Sequence, residues 1–350
     1  MASQLLVRRL VASRQHAFDE TFFERWKRRA LTGPVLFAVT PAYLALLPAT
    51  LTAAAASDIA RRRPFTATRF AVALGANLAM HVVGLSAVFA AWLAGRVEPR
   101  EEDRLEEKLQ AWWAESIWAS LEKLYNLELR TTGDECLEED GPFLLLSRHA
   151  SLLDTILPLV VLGGRHNRRL RYVMKRELLW DPVLDAVGHR WPTAFVRRGT
   201  RAAKEIEHVA ALGEELGARE AIVLFAEGTR FSRRKRQRLI EGKDSARAAR
   251  ASSFEFVLPP HPAGPFALLD AAPSLDVVFC AHTGLEGTNH FEDLLAGSLL
   301  GNHVKMAFWR VPRDEIPTGR AERIAWLGEQ WHAVDQWIGE NRSSKHRFPA

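Results

Sequence analysis

Two stretches of the chain contain no Asp, Glu, Lys or Arg: Ala30–Ser57, 28 positions long, and Phe70–Gly95, 26 positions long. At about 1.5 Å of rise per residue, either one as a helix is long enough to cross a hydrocarbon core of roughly 30 Å. Arg61, Arg62, Arg63 and Pro64 fall in the short link between them, so the pattern predicts a hydrophobic helical hairpin over residues 30–97. Pro34, Pro41 and Pro48 predict a kinked or re-entrant first helix. The alternative is a hairpin buried in a protein core. Ahead of it, residues 1–29 mix Arg8, Arg9, Arg14, Arg25, Lys27, Arg28 and Arg29 with apolar side chains such as Phe18 and Trp26. This is the pattern of a basic amphipathic segment lying on an anionic membrane surface. The apolar run begins too late, and is followed too soon by a second, for a cleaved signal peptide. The excess of basic residues before the hairpin places both termini, and the rest of the chain, on the cytoplasmic side.

Beyond the hairpin the periodicity changes. Leu105, Leu109, Trp112, Ile117, Leu121 and Leu124 recur at helical spacing within a charged segment, Glu101–Asn126. Short apolar runs of strand length then follow: Phe143–Leu146, Arg171–Met174, Ala194–Val196, Ala221–Phe225, Phe256–Leu258, Val277–Ala281 and Lys305–Trp309. Helical patterns at Leu152–Leu162 and Ala202–Leu216 separate several of them, and Arg320–Asn341 reads as a closing amphipathic helix. The alternation predicts an α/β domain over residues 98–350, with a mixed, largely parallel sheet flanked by helices. Phe231–Ser253, polar and broken by Gly242, is expected to be the longest loop.

Composition narrows the choices. Charged residues at 25% and apolar residues at 47% exclude wholesale disorder. Cys136 and Cys280 cannot build a disulfide framework, and no Cys/His cluster suggests a metal site. The +5 formal charge includes a run at Arg233, Arg234, Lys235, Arg236 and Arg238. No aromatic residues interleave with it, so a solvated loop or contact with anionic lipid heads is preferred over nucleic acid.

In open α/β sheets chemistry gathers at strand ends, and two strand ends here carry unusual residues. Ser147-Arg148-His149-Ala150-Ser151-Leu152-Leu153-Asp154 follows the Phe143–Leu146 run. His149 and Asp154 lie about 140° apart on a continuous helix and would not meet. A turn after His149 brings the ring back, so that Asp154 holds one ring nitrogen and the other takes a proton from a substrate hydroxyl. Ser151-x-x-Asp154 is equally a helix capping box. The second element, Ala226-Glu227-Gly228-Thr229-Arg230, follows Ala221–Phe225. Its glycine allows close backbone approach to an anion, and Arg230 offers bidentate contact to a phosphate. A surface turn with a weak Glu–Arg pair is the alternative.

Together and in this order, these elements resemble the blocks of the lysophospholipid acyltransferase family, typified by 1-acylglycerol-3-phosphate acyltransferases. Ser147–Asp154 is similar to the first block. Phe195-Val196-Arg197-Arg198 resembles the second, Phe225–Arg230 the third, and Phe256-Val257-Leu258-Pro259 the fourth. Tyr172–Lys175, Pro182 and Trp309-Arg310-Val311-Pro312 also fit, the last as in the eukaryotic-type branch. The resemblance implies acyl transfer from acyl-CoA or acyl carrier protein to the free hydroxyl of a lysophospholipid, with lysophosphatidic acid as the favoured acceptor. It implies no cofactor beyond that co-substrate. His149 would be the general base oriented by Asp154. Lys175, Arg197, Arg198, Glu227, Gly228, Thr229 and Arg230 would bind the acceptor. Partners would be lysophospholipid, acyl thioester, membrane lipids and an acyl carrier protein. Another lysolipid acceptor, such as an ornithine-type lysolipid, a transacylase, and a catalytically silent lipid-binding protein are the competing readings. Two departures stand out: Arg148 where many members have Asn, which bears on how the site entrance meets the acyl donor, and Ala226 in place of proline.

Overall fold

The two uncharged runs fold as long helices in the computed structural model, which describes residues 20–197, 203–288 and 290–342. Helix α1 spans Phe22–Ala60, α2 spans Thr66–Val97 and α3 spans Pro99–Tyr125. Strands β1 (Glu128–Thr132), β2 (Phe143–Ser147) and β3 (Arg169–Lys175) follow, then α4 (Pro182–Gly188), β4 (Thr193–Val196) and α5 (Ala203–Ala210). The chain continues through β5 (Glu220–Phe225), α6 (Arg233–Ile240), α7 (Ser245–Ser252), α8 (Ala263–Ala271) and β6 (Asp276–Thr283). It ends with α9 (Phe291–Ala296), β7 (His303–Val311) and α10 (Arg320–Asn341). The fold class is the one expected: α/β, with a mixed, largely parallel sheet and a preceding hydrophobic helical hairpin.

The chain divides into two compact units. The first comprises residues 1–124 and 159–214. Its α1 begins at Phe22 rather than near residue 30, because Thr21 and Glu24 form a capping box. Residues 1–19 of the expected surface segment lie outside the described residues. Arg28 and Arg29, basic residues of the described part, face protein: both bind Asp185, and Arg28 also binds Glu20. Despite Pro34, Pro41 and Pro48, α1 is one continuous helix of 39 residues. Asp58 closes the hairpin, accepting the N–H groups of Ala67 and Thr68 at the start of α2. Small residues let the helices approach: Gly75 lies under the Tyr43 ring, and the Tyr43 hydroxyl donates to the carbonyl of Ala71. Both helices are long and apolar enough to cross a membrane, and only 11% and 17% of their most apolar windows are buried within the protein. In the same unit β3 and β4 pair in parallel, Lys175 opposite Val196.

The second unit comprises residues 125–158 and 215–350. Its strands lie in the order β1-β7-β6-β2-β5, with β7 antiparallel to β6 and every other pair parallel. The central run Phe143–Leu146 is wholly buried, as expected for a strand covered on both faces. Leu327, Trp331, Val334 and Ile338 seat the apolar stripe of α10.

Three expectations from the pattern are corrected. Phe256–Leu258 is not a strand. Side chains take up its backbone groups instead: Asp335 accepts from Phe256 N–H, Glu227 from Leu258 N–H, and Trp331 donates to the Leu258 carbonyl. Leu152–Leu162 is not one helix but a short 3₁₀ turn at Leu153–Thr155 and a π turn at Leu159–Arg165. The expected long loop holds α6 and α7, each started by a side-chain cap from Ser232 and Asp244 respectively.

Candidate active site

Strand register sets the level of the site in the second unit. Ser147 pairs with Phe225 on one side and with Cys280 on the other, all three strands running parallel. Two residues further along, His149 and Glu227, just past the carboxyl ends of β2 and β5, therefore stand level with His282 near the end of β6. This is where α/β sheets bind ligands.

The turn that follows β2 brings Asp154 back to His149. Asp154 Oδ2 lies 3.1 Å from His149 Nδ1 and accepts the N–H of Ser151 at 2.7 Å and that of Ala150. The carboxylate that accepts these two N–H groups also holds the ring, while no side chain caps the 3₁₀ turn and the helix that Asp154 was expected to cap does not form. Asp154 is 1% exposed. Burial pushes its pKa up, but charge from His282, the His149 hydrogen bond and the Ser151 N–H hold it below the usual carboxylate range. An ionised Asp154 can only accept, so His149 carries its proton on Nδ1 and Nε2 is the nitrogen with the basic lone pair. The ring rests against Phe225, with centroids 4.6 Å apart.

Glu227 faces inward. Its Oε1 accepts the His149 N–H at 2.8 Å and its Oε2 accepts the Leu258 N–H at 2.9 Å, tying the first, third and fourth sequence blocks together. Burial pushes this carboxyl up to about 8, against the two backbone N–H groups that lower it. Gly228 turns the chain with a φ of 65°, a left-handed conformation that favours glycine. A Cβ there would come within 3.1 Å of the His261 ring. Lys235, placed by sequence only in a charge run, donates to Thr229 Oγ1 and to the Arg230 carbonyl, fixing the turn from the first helical turn of α6. The Phe231 N–H donates to the His149 carbonyl at 2.6 Å, so the residue just after the third block also holds the first through its backbone.

In the first unit, Lys175 ends β3 and Arg197 directly follows β4. Arg197 lines an open cleft of about 320 Å³ with Arg28, Arg176 and Trp180. Arg198 lies outside the described residues. Among the described residues no group of three or more His, Cys, Asp or Glu side chains is arranged to hold a metal ion.

Arg148 does not sit at an entrance. It is fully buried, donating to Glu286 and to the carbonyls of His282 and Phe256. His282, Glu286 and Arg148's inward role were missed by sequence reasoning. The available signal was a histidine ending an apolar strand, in Cys280-Ala281-His282-Thr283-Gly284.

Residues 128–261, which hold all four blocks, match the acyltransferase family. The matched segment is the part of the chain that carries the motifs. Among curated proteins it is 33% identical over 107 residues to a lyso-ornithine lipid O-acyltransferase of Brucella abortus (strain 2308). That match covers 31% of this chain and 37% of the relative's length. Among solved structures, the 1-acyl-sn-glycerophosphate (LPA) acyltransferase PlsC of Thermotoga maritima aligns over 78% of this chain and 98% of its own. The identity there is 15% and the TM-score 0.46.

Proposed function

We propose that the protein is a membrane-bound acyltransferase that moves a fatty acyl group from an acyl thioester to the free hydroxyl of a lysophospholipid. The observation that carries this reading is the His149–Asp154 pair, held by Glu227 at the strand ends of a segment that matches the acyltransferase family. His149 Nε2 takes the proton of the acceptor hydroxyl as its oxygen attacks the thioester carbonyl. The tetrahedral adduct collapses, the C–S bond breaks, and the thiolate leaves with the proton that His149 returns. Asp154 stabilises the imidazolium formed between these steps. No covalent acyl-enzyme is needed. Lys175, Arg197, Arg198 and Arg230 hold the acceptor's phosphate, with Gly228 and Thr229 shaping the turn beside it. Glu227 acts by holding the His149 turn. The apolar hairpin anchors the chain in the bilayer where acceptor and product partition, with the catalytic part on the cytoplasmic side.

Lysophosphatidic acid is the first acceptor proposed, because the basic residues assigned to the site suit a phosphate monoester. An ornithine-type lysolipid is the second, favoured by the similarity to the Brucella abortus protein. The test is acyl transfer by detergent-extracted membranes, wild type beside His149→Ala. Labelled oleoyl-coenzyme A or acyl carrier protein serves as donor, and lysophosphatidic acid and lyso-ornithine lipid as acceptors. His149-dependent phosphatidic acid is the expected product. A labelled ornithine lipid alone replaces the acceptor, and product formation unchanged by His149→Ala sinks the general-base assignment. Arg230→Ala is expected to raise KM for a phosphate-bearing acceptor roughly tenfold and leave that for the thioester unchanged. Equal effects on both substrates remove the phosphate clamp.

A further inference from the structure

Behind His149 lies a buried layer that the reaction as written does not use. Arg148 precedes the proposed catalytic histidine in the chain and is 0% exposed. Its backbone N–H donates to the Cys280 carbonyl at 3.2 Å, and its carbonyl accepts from His282 Nε2 at 3.1 Å. Its guanidinium spans the His282 carbonyl at 2.6 Å, the Phe256 carbonyl at 3.2 Å and the Glu286 carboxylate. Glu286, 4% exposed, uses its other oxygen on the Gly284 N–H at 2.6 Å. The His282 ring is 1% exposed and sits between the Arg148 carbonyl and Asp154, with Nε2 3.7 Å from Oδ1. Asp154 Oδ1 and His282 Nδ1 have no hydrogen-bond partner. Ser151 completes the frame through its hydroxyl on Thr288, in the same loop as Glu286.

A guanidinium and a carboxylate taken wholly out of water lose hydration that their mutual attraction repays only with good geometry, and apolar replacements are often as stable. Fold stability alone therefore gives no reason for this pair. What it does uniquely is lock the residue next to His149 to the end of β6 and to the Phe256 segment at once. We propose that Arg148, Glu286 and His282 are positioning residues, which fix the turn that holds His149 against Asp154 and do not touch substrate. This inference rests on the general-base reading of His149. It also gives Arg148 a role opposite to that expected of an entrance residue.

The test separates positioning from folding and from the acyltransferase reading. In the paired variant Arg148→Met/Glu286→Leu no buried charge is left alone, so the fold is expected to survive. Arg148→Lys and Glu286→Gln serve as second variants if it does not. Amide exchange of residues 148–151 reports the cradle directly, because those four N–H groups bind Cys280, Glu227 and Asp154. Exchange there is expected to rise about tenfold in the paired variant, with β5 unchanged. The kcat is expected to fall roughly 10–100-fold at unchanged KM, as for a small misplacement of a catalytic group. His282→Gln, which keeps an N–H donor for the Arg148 carbonyl, should retain most of kcat where His282→Ala loses about tenfold. The charged and titratable groups around the ring, Asp154, Glu227, His282, Arg148 and Glu286, are otherwise untouched in these single changes. Unaltered exchange at 148–151 in a folded paired variant overturns the inference, whatever the activity. So does a retained kcat, or equal losses for the two His282 variants. If the wild type transfers no acyl group, the acyltransferase reading fails, and the exchange measurement still decides the positioning role.

Discussion

Each unit of the molecule holds a buried aspartate beside a histidine, and the two arrangements serve different ends. Asp185 in the first unit binds His189, Arg28 and Arg29. Its carboxylate is consumed by full charges. Burial opposes ionisation, but the hydrogen bonds from His189, Arg28 and Arg29 hold its pKa down at about 2. That is a clamp on the first turns of α1. Asp154 in the second unit is compensated by backbone N–H groups and by histidines, with no arginine or lysine on its carboxylate among the described residues. Backbone dipoles support the anion without cancelling it, so its charge remains available for the imidazolium that the proposed mechanism forms. The same two residue types make a tether where arginines neutralise the carboxylate, and the proposed acid–base pair where backbone amides leave its charge uncancelled.

The largest effect that tests this contrast is His149→Ala. Acyl transfer should fall by about a thousandfold, the scale of a lost general base, with the folded protein still membrane-bound. The corresponding change in the other pair, His189→Ala, should leave kcat within a few fold. A comparable loss of kcat there would break the distinction.

Asp185→Ala reverses the pattern. It leaves Arg28 buried without one of its two carboxylates, and a broken buried pair costs about 3 kcal/mol. Denaturant unfolding in detergent should show that loss, whereas a lowered kcat in the absence of destabilisation would make Asp185 more than a tether. Gly228→Ala comes next. Forcing an alanine into a left-handed turn costs roughly 1–2 kcal/mol, and the Cβ must also displace the His261 ring. A fully stable and active Gly228→Ala enzyme would mean that the turn is not held as described.

The smallest effect is in pH. Glu227 is raised from 4.5 to about 8, so folding favours its protonated form. Its contribution to stability is full below the ordinary carboxylate value and is lost as pH rises through about 8. Asp154 and Asp185 are held low, so theirs is present above the ordinary carboxylate value and lost as pH falls, toward about 2 for Asp185. Thermal midpoints should therefore decline by a few degrees from pH 6 to pH 9, and Glu227→Gln should flatten that decline. An unchanged slope would show that Glu227 is ionised throughout.

Much of this was legible in the order of residues. The 28- and 26-residue uncharged runs and the closing helix at Arg320–Asn341 were read from periodicity and spacing, because each depends on neighbours in the chain, whereas the four sequence blocks came from the family resemblance. His149 and Asp154 were found for the same reason: a five-residue separation closes through a local turn. Phe256–Leu258 was misread because apolar β-branched and aromatic residues signal a strand, whereas Asp335, Glu227 and Trp331, distant in sequence, supply its hydrogen bonds.

By itself, then, the sequence determined the α/β class, the apolar hairpin and the pairing of His149 with Asp154, all set by local pattern. Only the tertiary structure decided where Glu227, Arg148 and His282 point. Strand register brings positions 149, 227 and 282 to one level, and the cost of leaving a buried charge or amide unpaired then selects their partners. That selection acts across 78 residues for the Glu227 contact with His149 and 138 for the Glu286 contact with Arg148, a range that no periodicity reaches.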